Sequence, residues 1–255
     1  MDIFIGYDPR EEHLFQVCRY SLVRRASQPL EIRPLGMPPG LYSRTWHEGP
    51  GGQRIDDADG RPFSTDFSFS RFLVPALMDY SGWALFCDCD FLFLADVAEL
   101  FALRDASRAV QCVQHRHRPR HTQKKEGVAQ TRYPRKNWSS LVLWNCGHPA
   151  HRALTPAEVN SRPGGWLHGF GWLEDGLIGG LPEAWNWLSG WSPETTAPKA
   201  VHYTEGGPWL AKYRGVPYAD AWLSERARME QDPGPTSATD AAAPRPPGPT
   251  DPQPG

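Results

Sequence analysis

An α/β fold built on a mostly parallel sheet is the class this sequence predicts, and three observations predict it. The chain opens strand–helix–strand, a connection that belongs to parallel sheets. Short apolar runs suited to buried strands recur at "WALFCD", "AVQCVQ" and "SLVLWN". At 255 residues, 40% hydrophobic and 22% charged, the chain can bury one good-sized core or at most two small ones.

From the N-terminus, "DIFIGYD" reads as a buried strand, Asp2 to Tyr7, ending in a turn at Asp8-Pro9. A helix follows from about Arg10, with Leu14, Val17, Cys18, Ser21 and Leu22 on one face. Glu11 and Glu12 in its first turn and Arg24 and Arg25 in its last suit the helix dipole. "LEIRPLG" reads as a second strand. Met37 to Phe67, rich in Gly, Asp, Arg and Ser without periodicity, reads as a long loop. "SFSRFLVPALMDY" follows helical spacing with a kink at Pro75. The strands "WALFCD", "AVQCVQ" and "SLVLWN" come next, the last two separated by a basic loop from His115 to Lys136. "WLEDGLIGGL" reads as the start of a helix, and "AVHYTEGGPW" as a short strand running into a glycine-rich turn.

A formal charge of -2 gives no global electrostatic case for nucleic acid or an anionic membrane. Five cysteines without regular spacing fit a reducing compartment better than a disulfide framework. The start "MDIFIGYDPREEHLFQ" shows no apolar core of signal-peptide length, and no segment suits a membrane helix, so a cytoplasmic location is expected. Residues 1–231 are expected to form the domain. Asp232 to Gly255, made of proline, glycine, alanine and small or polar residues, reads as a disordered tail. Nine of the eleven tryptophans fall between Trp138 and Trp222, where they serve either packing or a sugar-stacking platform.

The chemistry concentrates at "LFCDCDFLFL". Asp88 and Asp90 leave an apolar strand, and burying two carboxylates without compensation is costly. In an extended chain they project to one side about 7 Å apart, with Cys87 and Cys89 on the other. A divalent cation between them resolves the repulsion, and oxygen ligands favour Mg²⁺ or Mn²⁺ over zinc. The plain alternative is that both acids emerge into solvent. His202 is the candidate third ligand, because it ends a short β-type run just before Gly206-Gly207-Pro208, where backbone amides can approach phosphate.

The motifs "IFIGYD", "FSRFLVP", "LFCDCDFLFLADVAELF", "WSSLVLWN" and "VHYTEGGPW" come in the order seen in glycosyltransferase family 8. The chain resembles those nucleotide-sugar-dependent enzymes of the GT-A fold from about Ile3 to Trp209. The resemblance implies that Asp88, Asp90 and His202 hold Mn²⁺ (or Mg²⁺) against the diphosphate of a UDP-sugar donor. It implies that Gly6, Tyr7 and Asp8 lie against uracil and ribose, and that Arg71 approaches the acid pair and the donor. It also implies that Asn145, Glu174 and Asp175 meet the donor sugar, that a carbohydrate or glycoconjugate is the acceptor, and that configuration is retained. Glu174 and Asp175 then serve as the catalytic carboxylates facing the anomeric carbon, or are simply first-turn acids.

The chain departs from the family in three places, one of them Leu173-Glu174-Asp175, where relatives carry a D-Q-D type motif. Gly207 stands where relatives carry lysine, so Lys199, Lys212 or the basic loop must help neutralise the diphosphate. Trp138-Ser139-Ser140 stands where relatives carry Asn-small-Gly. These changes keep open a non-catalytic nucleotide-sugar or carbohydrate binder. A phosphohydrolase using the same acid pair is disfavoured, because Phe91 and Leu92 follow where that class has small and β-branched residues.

Overall fold

The computed structural model of the protein describes residues 1–115 and 135–232. All of the expected disordered tail but Asp232, and all but the ends of the basic loop, lie outside these residues. In chain order the strands are β1 (Asp2–Gly6), β2 (Glu31–Leu35), β3 (Trp46–Glu48), β4 (Arg54–Asp56), β5 (Pro62–Phe63) and β6 (Trp83–Cys87). They continue with β7 (Phe91–Phe93), β8 (Val110–Cys112), β9 (Leu141–Asn145), β10 (Ile178–Gly180), β11 (Trp187–Leu188) and β12 (Ala200–His202).

The central sheet runs β10-β8-β9-β6-β1-β2. β1 is parallel to both β2 and β6, and β10 is parallel to β8, whereas β9 is antiparallel to β6 and β8. Five strands therefore point one way and β9 opposes them. This is the predicted α/β architecture with a mostly parallel sheet. Ile3 to Ile5 and Ala84 to Cys87 are buried, as continuous apolar strands covered on both faces must be.

The helix Glu12–Arg25 buries Leu14, Phe15, Val17, Cys18, Ser21 and Leu22, the predicted face with Phe15 added. Ser21 ties it to β7: its hydroxyl donates to the Cys18 carbonyl (2.7 Å) and accepts from the Phe93 amide (3.1 Å). The tryptophans carry much of the remaining core. Trp144, Trp185, Trp187 and Trp222 are fully buried, and Trp144 stacks on Trp172 with 6.3 Å between centroids.

Three predicted elements differ. The segment from Met37 to Phe67 is no plain loop: β3, β4 and β5 form a small antiparallel sheet. Strands of two or three residues leave no alternation to read. The sheet is anchored by buried Arg44, which donates to both Asp56 carboxylate oxygens (2.7 and 2.6 Å) and to the carbonyls of Val159 and Arg162. The expected kinked helix at Ser68 to Tyr80 is three successive turns, Phe67–Ser70, Arg71–Leu73 and Val74–Leu77. Pro75 sits at the start of the third, where its missing N–H costs nothing. "WLEDGLIGGL" is a 3₁₀ turn, Asp175–Leu177, leading into β10, so the paired edge of β8 overrode the expected helix.

The two ends of the described chain are clamped together. Glu225, on the C-terminal helix Ala219–Gln231, accepts from Arg24 (2.7 and 2.8 Å) and Arg25 (2.9 and 3.1 Å). Burial alone would raise its carboxyl, but the bonds from Arg24 and Arg25 outweigh that and bring it from 4.5 down to about 2. A depressed carboxylate contributes stability above its unfolded value and loses it as pH falls through the folded one. Glu225→Gln is therefore expected to cost about 2 kcal/mol at neutral pH. The gap from wild type should close between pH 4.5 and 2, as followed by denaturant titration at each pH.

Candidate functional site

β6 delivers Asp88 to the carboxyl edge of the sheet, between β1 and β9. The Asp88 amide donates to the Ser140 carbonyl (2.9 Å), and the chain then turns through Cys89 and Asp90 instead of staying extended. The turn gathers the two acids more closely than the 7 Å expected of a strand. Cys87 and Cys89 are both buried, and the turn sets the Cys89 thiol against Glu11.

After the turn, β7 leaves the central sheet and pairs antiparallel with β12, placing Phe91 opposite His202. Their rings stack 4.4 Å apart, and the Tyr203 amide bonds to the Asp90 carbonyl (3.1 Å). This register carries a residue more than a hundred positions away to the acid pair. His202 Nε2 lies 3.4 Å from Asp90 Oδ1, and one ligand atom from each of Asp88, Asp90 and His202 falls within 4.8 Å of the others. Two carboxylates and one imidazole in that space suit a hard or borderline divalent cation.

Charge at the site is crowded. Glu11 faces the pair, and its carboxyl is pushed up to about 7 by burial, with the Asp90 carboxylate adding to the rise; the Cys89 thiol donates to it at 3.2 Å. Nearby positive charge comes from Arg71, which is buried and donates to the carbonyls of Phe67 (3.1 Å) and Ser139 (3.0 Å) while its Nη1 sits 2.7 Å from Asp88 Oδ1. Two backbone anchors thus aim the guanidinium at the acid pair.

These groups open onto a cavity of about 360 Å³. Asp88, Asp90, Arg71, His202 and Gly206 line it, so the structure brings these expected residues together. Other expected residues are placed elsewhere. Asp8 is buried behind the wall, bonded to Arg10 and to the Asp66 amide (3.2 Å). Burial would raise its carboxyl, but the Arg10 bonds prevail and hold it below its ordinary value. Tyr7 packs edge-on against Phe15, and its hydroxyl is raised to about 12 mainly by bonding to Glu12. Gly6 lies against the Phe67 ring, which itself lines the cavity.

The glycine turn also differs from expectation. The Gly206 amide is spent on the Tyr203 carbonyl, and Gly207 is pressed against the Trp209 ring. Asn145 stands opposite Trp83, at the far end of the sheet from Asp88, because β9 runs against its neighbours. Its side chain donates to the carbonyls of Ala106 and Arg108. Glu174 and Asp175 precede β10 at that same end, both exposed and outside the cavity wall, with Asp175 paired to Arg135. Lys199 pairs with Glu99, while Lys136, at the end of the basic segment, does reach the wall.

Several lining residues carry no sequence signal. Glu11 reads as an ordinary first-turn acid. Ser139 bonds His168 Nδ1 through its hydroxyl (2.7 Å), and both line the cavity. Trp209 lines the cavity, whereas Trp166, Trp172, Trp185 and Trp187 pack in or against the core.

No family model matches the chain. It is 50% identical to Protein CDI of Arabidopsis thaliana over 239 residues, covering 90% of this chain and 87% of that protein. Among solved structures it superposes on the bifunctional glycosyltransferase WbbM with a TM-score of 0.61 at 14% identity, over 91% of this chain and 50% of that one. It superposes on the glycosyltransferase GlyE of Streptococcus pneumoniae TIGR4 with a TM-score of 0.58 at 14% identity, over 88% of this chain and 59% of that one. The chain thus spans about half of WbbM and three fifths of GlyE. The galactosyltransferase LgtC, solved with donor and acceptor sugar analogues, gives 0.56 at 13% identity over 89% and 96%. The shared property is the GT-A type fold.

The packing behind the cavity can be tested directly. A Cβ on Gly6 would lie 2.5 Å from the Phe67 ring. Gly6→Ala is expected to lower stability by about 1–3 kcal/mol through overpacking, measured by urea denaturation.

Proposed function

The chain belongs to the family of Arabidopsis thaliana Protein CDI, and from that premise we propose that it is a metal-dependent glycosyltransferase. Its reaction is the transfer of a hexose from UDP-hexose to a carbohydrate or glycoconjugate acceptor. The observation that carries this reading is the meeting of Asp88, Asp90 and His202 in a cavity at the carboxyl ends of parallel strands, within a glycosyltransferase-type fold.

Asp88, Asp90 and His202 are the proposed holders of Mn²⁺ or Mg²⁺, which when bound supplies Lewis-acid stabilisation for the departing diphosphate. Arg71 orients Asp88 from the opposite side and adds fixed positive charge. Lys136 in the wall offers a further cationic partner to phosphate oxygens, the role otherwise missing at Gly207. Retention of configuration and membership of glycosyltransferase family 8 are part of this proposal and rest on the motif resemblance. A domain of residues 1–231 is also part of it and rests on the core-poor composition of the segment that follows.

A second reading, a nucleotide-sugar binder without turnover, is favoured by one observation. Glu174 and Asp175 lie outside the cavity, so neither is aimed at a reacting sugar there. The two readings diverge on donor hydrolysis: slow release of UDP from UDP-hexose by the purified protein marks the enzyme, and tight binding without release marks the binder.

Both readings share a prediction. UDP with Mn²⁺ at a hundred times its dissociation constant should stabilise the protein by about 2.7 kcal/mol. This would appear as a rise in melting temperature that Asp88→Ala or Asp90→Ala abolishes. An unmoved wild-type melting curve at saturating UDP and Mn²⁺ defeats the donor assignment.

A further inference from the structure

Beside His202, in and under the cavity wall, lies a set of buried polar groups that decides which imidazole nitrogen carries the proton. The Asn137 carbonyl, held in place by a left-handed backbone at that residue (φ 64°), can only accept. It receives the Ser140 hydroxyl at 2.7 Å and the Asn186 amide nitrogen at 3.3 Å. Ser140 has one hydroxyl proton, and the short bond to Asn137 uses it. Its oxygen is left to accept from the Asn186 Nδ2 group, 3.0 Å away.

Two acceptors on one side of Asn186 fix the orientation of its amide. The nitrogen faces Asn137 and Ser140, so Oδ1 must face the other way, where it lies 2.9 Å from His202 Nδ1. Ser140 Oγ, 3.4 Å from the same nitrogen, is also confined to accepting. Both neighbours of Nδ1 therefore demand a donor. The set is buried: Asn186 is inaccessible, and Ser140 and His202, though they line the cavity, are only 3% and 2% exposed.

We propose that Asn186 is a positioning residue that locks His202 in the Nδ1–H tautomer and turns the lone pair of Nε2 towards Asp88 and Asp90. A lone pair aimed at carboxylate oxygens makes no hydrogen bond with them and suits a cation lying between. The inference deepens the cation reading and rests on it for its purpose, though the tautomer itself does not. Asn186 lies in "LPEAWNW", where no motif in the sequence marks it.

The test begins with metal-free wild-type protein carrying ¹⁵N-labelled histidine, under conditions where the imidazole is neutral. The His202 spectrum is expected to show a protonated, pyrrole-type Nδ1 and a bare, pyridine-type Nε2. A protonated Nε2 overturns the proposal. Calorimetric titration with Mn²⁺ in the presence of UDP is then expected to show about 10–100-fold weaker binding for Asn186→Ala. Asn186→Asp, which keeps an acceptor for Nδ1, should recover part of that loss. Unchanged affinity in a folded Asn186→Ala variant also overturns the proposal. Wild-type protein showing the Nδ1–H form but taking up no Mn²⁺ would instead defeat the cation reading and leave the tautomer assignment standing.

Discussion

The pairing of Phe91 with His202 is the contact on which the site depends. Two strands of three residues each form it, and a slip of one residue would turn His202 to the opposite face and separate it from both acids. The register is held by burial: Phe91, Leu92, Phe93, Ala200 and Val201 are all inaccessible, so slippage would expose or displace core side chains. The ring stack and the bond from Tyr203 to Asp90 add direction to that hydrophobic hold.

Around this contact the protein concentrates like charge. Glu11, Asp88 and Asp90 converge at the end of an apolar strand, and Arg71 is the buried counterweight, fixed by two backbone carbonyls. Such a cluster contributes little to stability and is tolerated because the surrounding core is large. Arg44, which pairs with Asp56 and also reaches the Val159 and Arg162 carbonyls, and Glu225 with its two arginines are of another kind, each stapling segments distant in sequence. The same chemistry serves cohesion in one place and readiness for a ligand in another.

How much of this could be read from the sequence follows from length and direction. Strands at Ile3 to Ile5 and Ala84 to Cys87 were legible because burial on both faces makes them continuously apolar. Asp88, Asp90 and His202 stood out because polar groups ending such strands need a reason. The small sheet from Trp46 to Phe63 was not legible, since its strands are too short for any period. Asn145 was misplaced because nothing in "SLVLWN" says that its strand runs against its neighbours. Asn186 and Glu11 act through partners supplied by other segments, and a linear pattern does not record that kind of neighbour.

The groups that meet in the cavity enter the chain at very different times. Roughly 110 residues separate Asp90 from His202. At ribosomal speeds the acidic turn therefore emerges on the order of ten seconds before its imidazole partner. The three side chains come together only once β12 docks on β7, so a ribosome that stalls earlier leaves the acid pair without its imidazole.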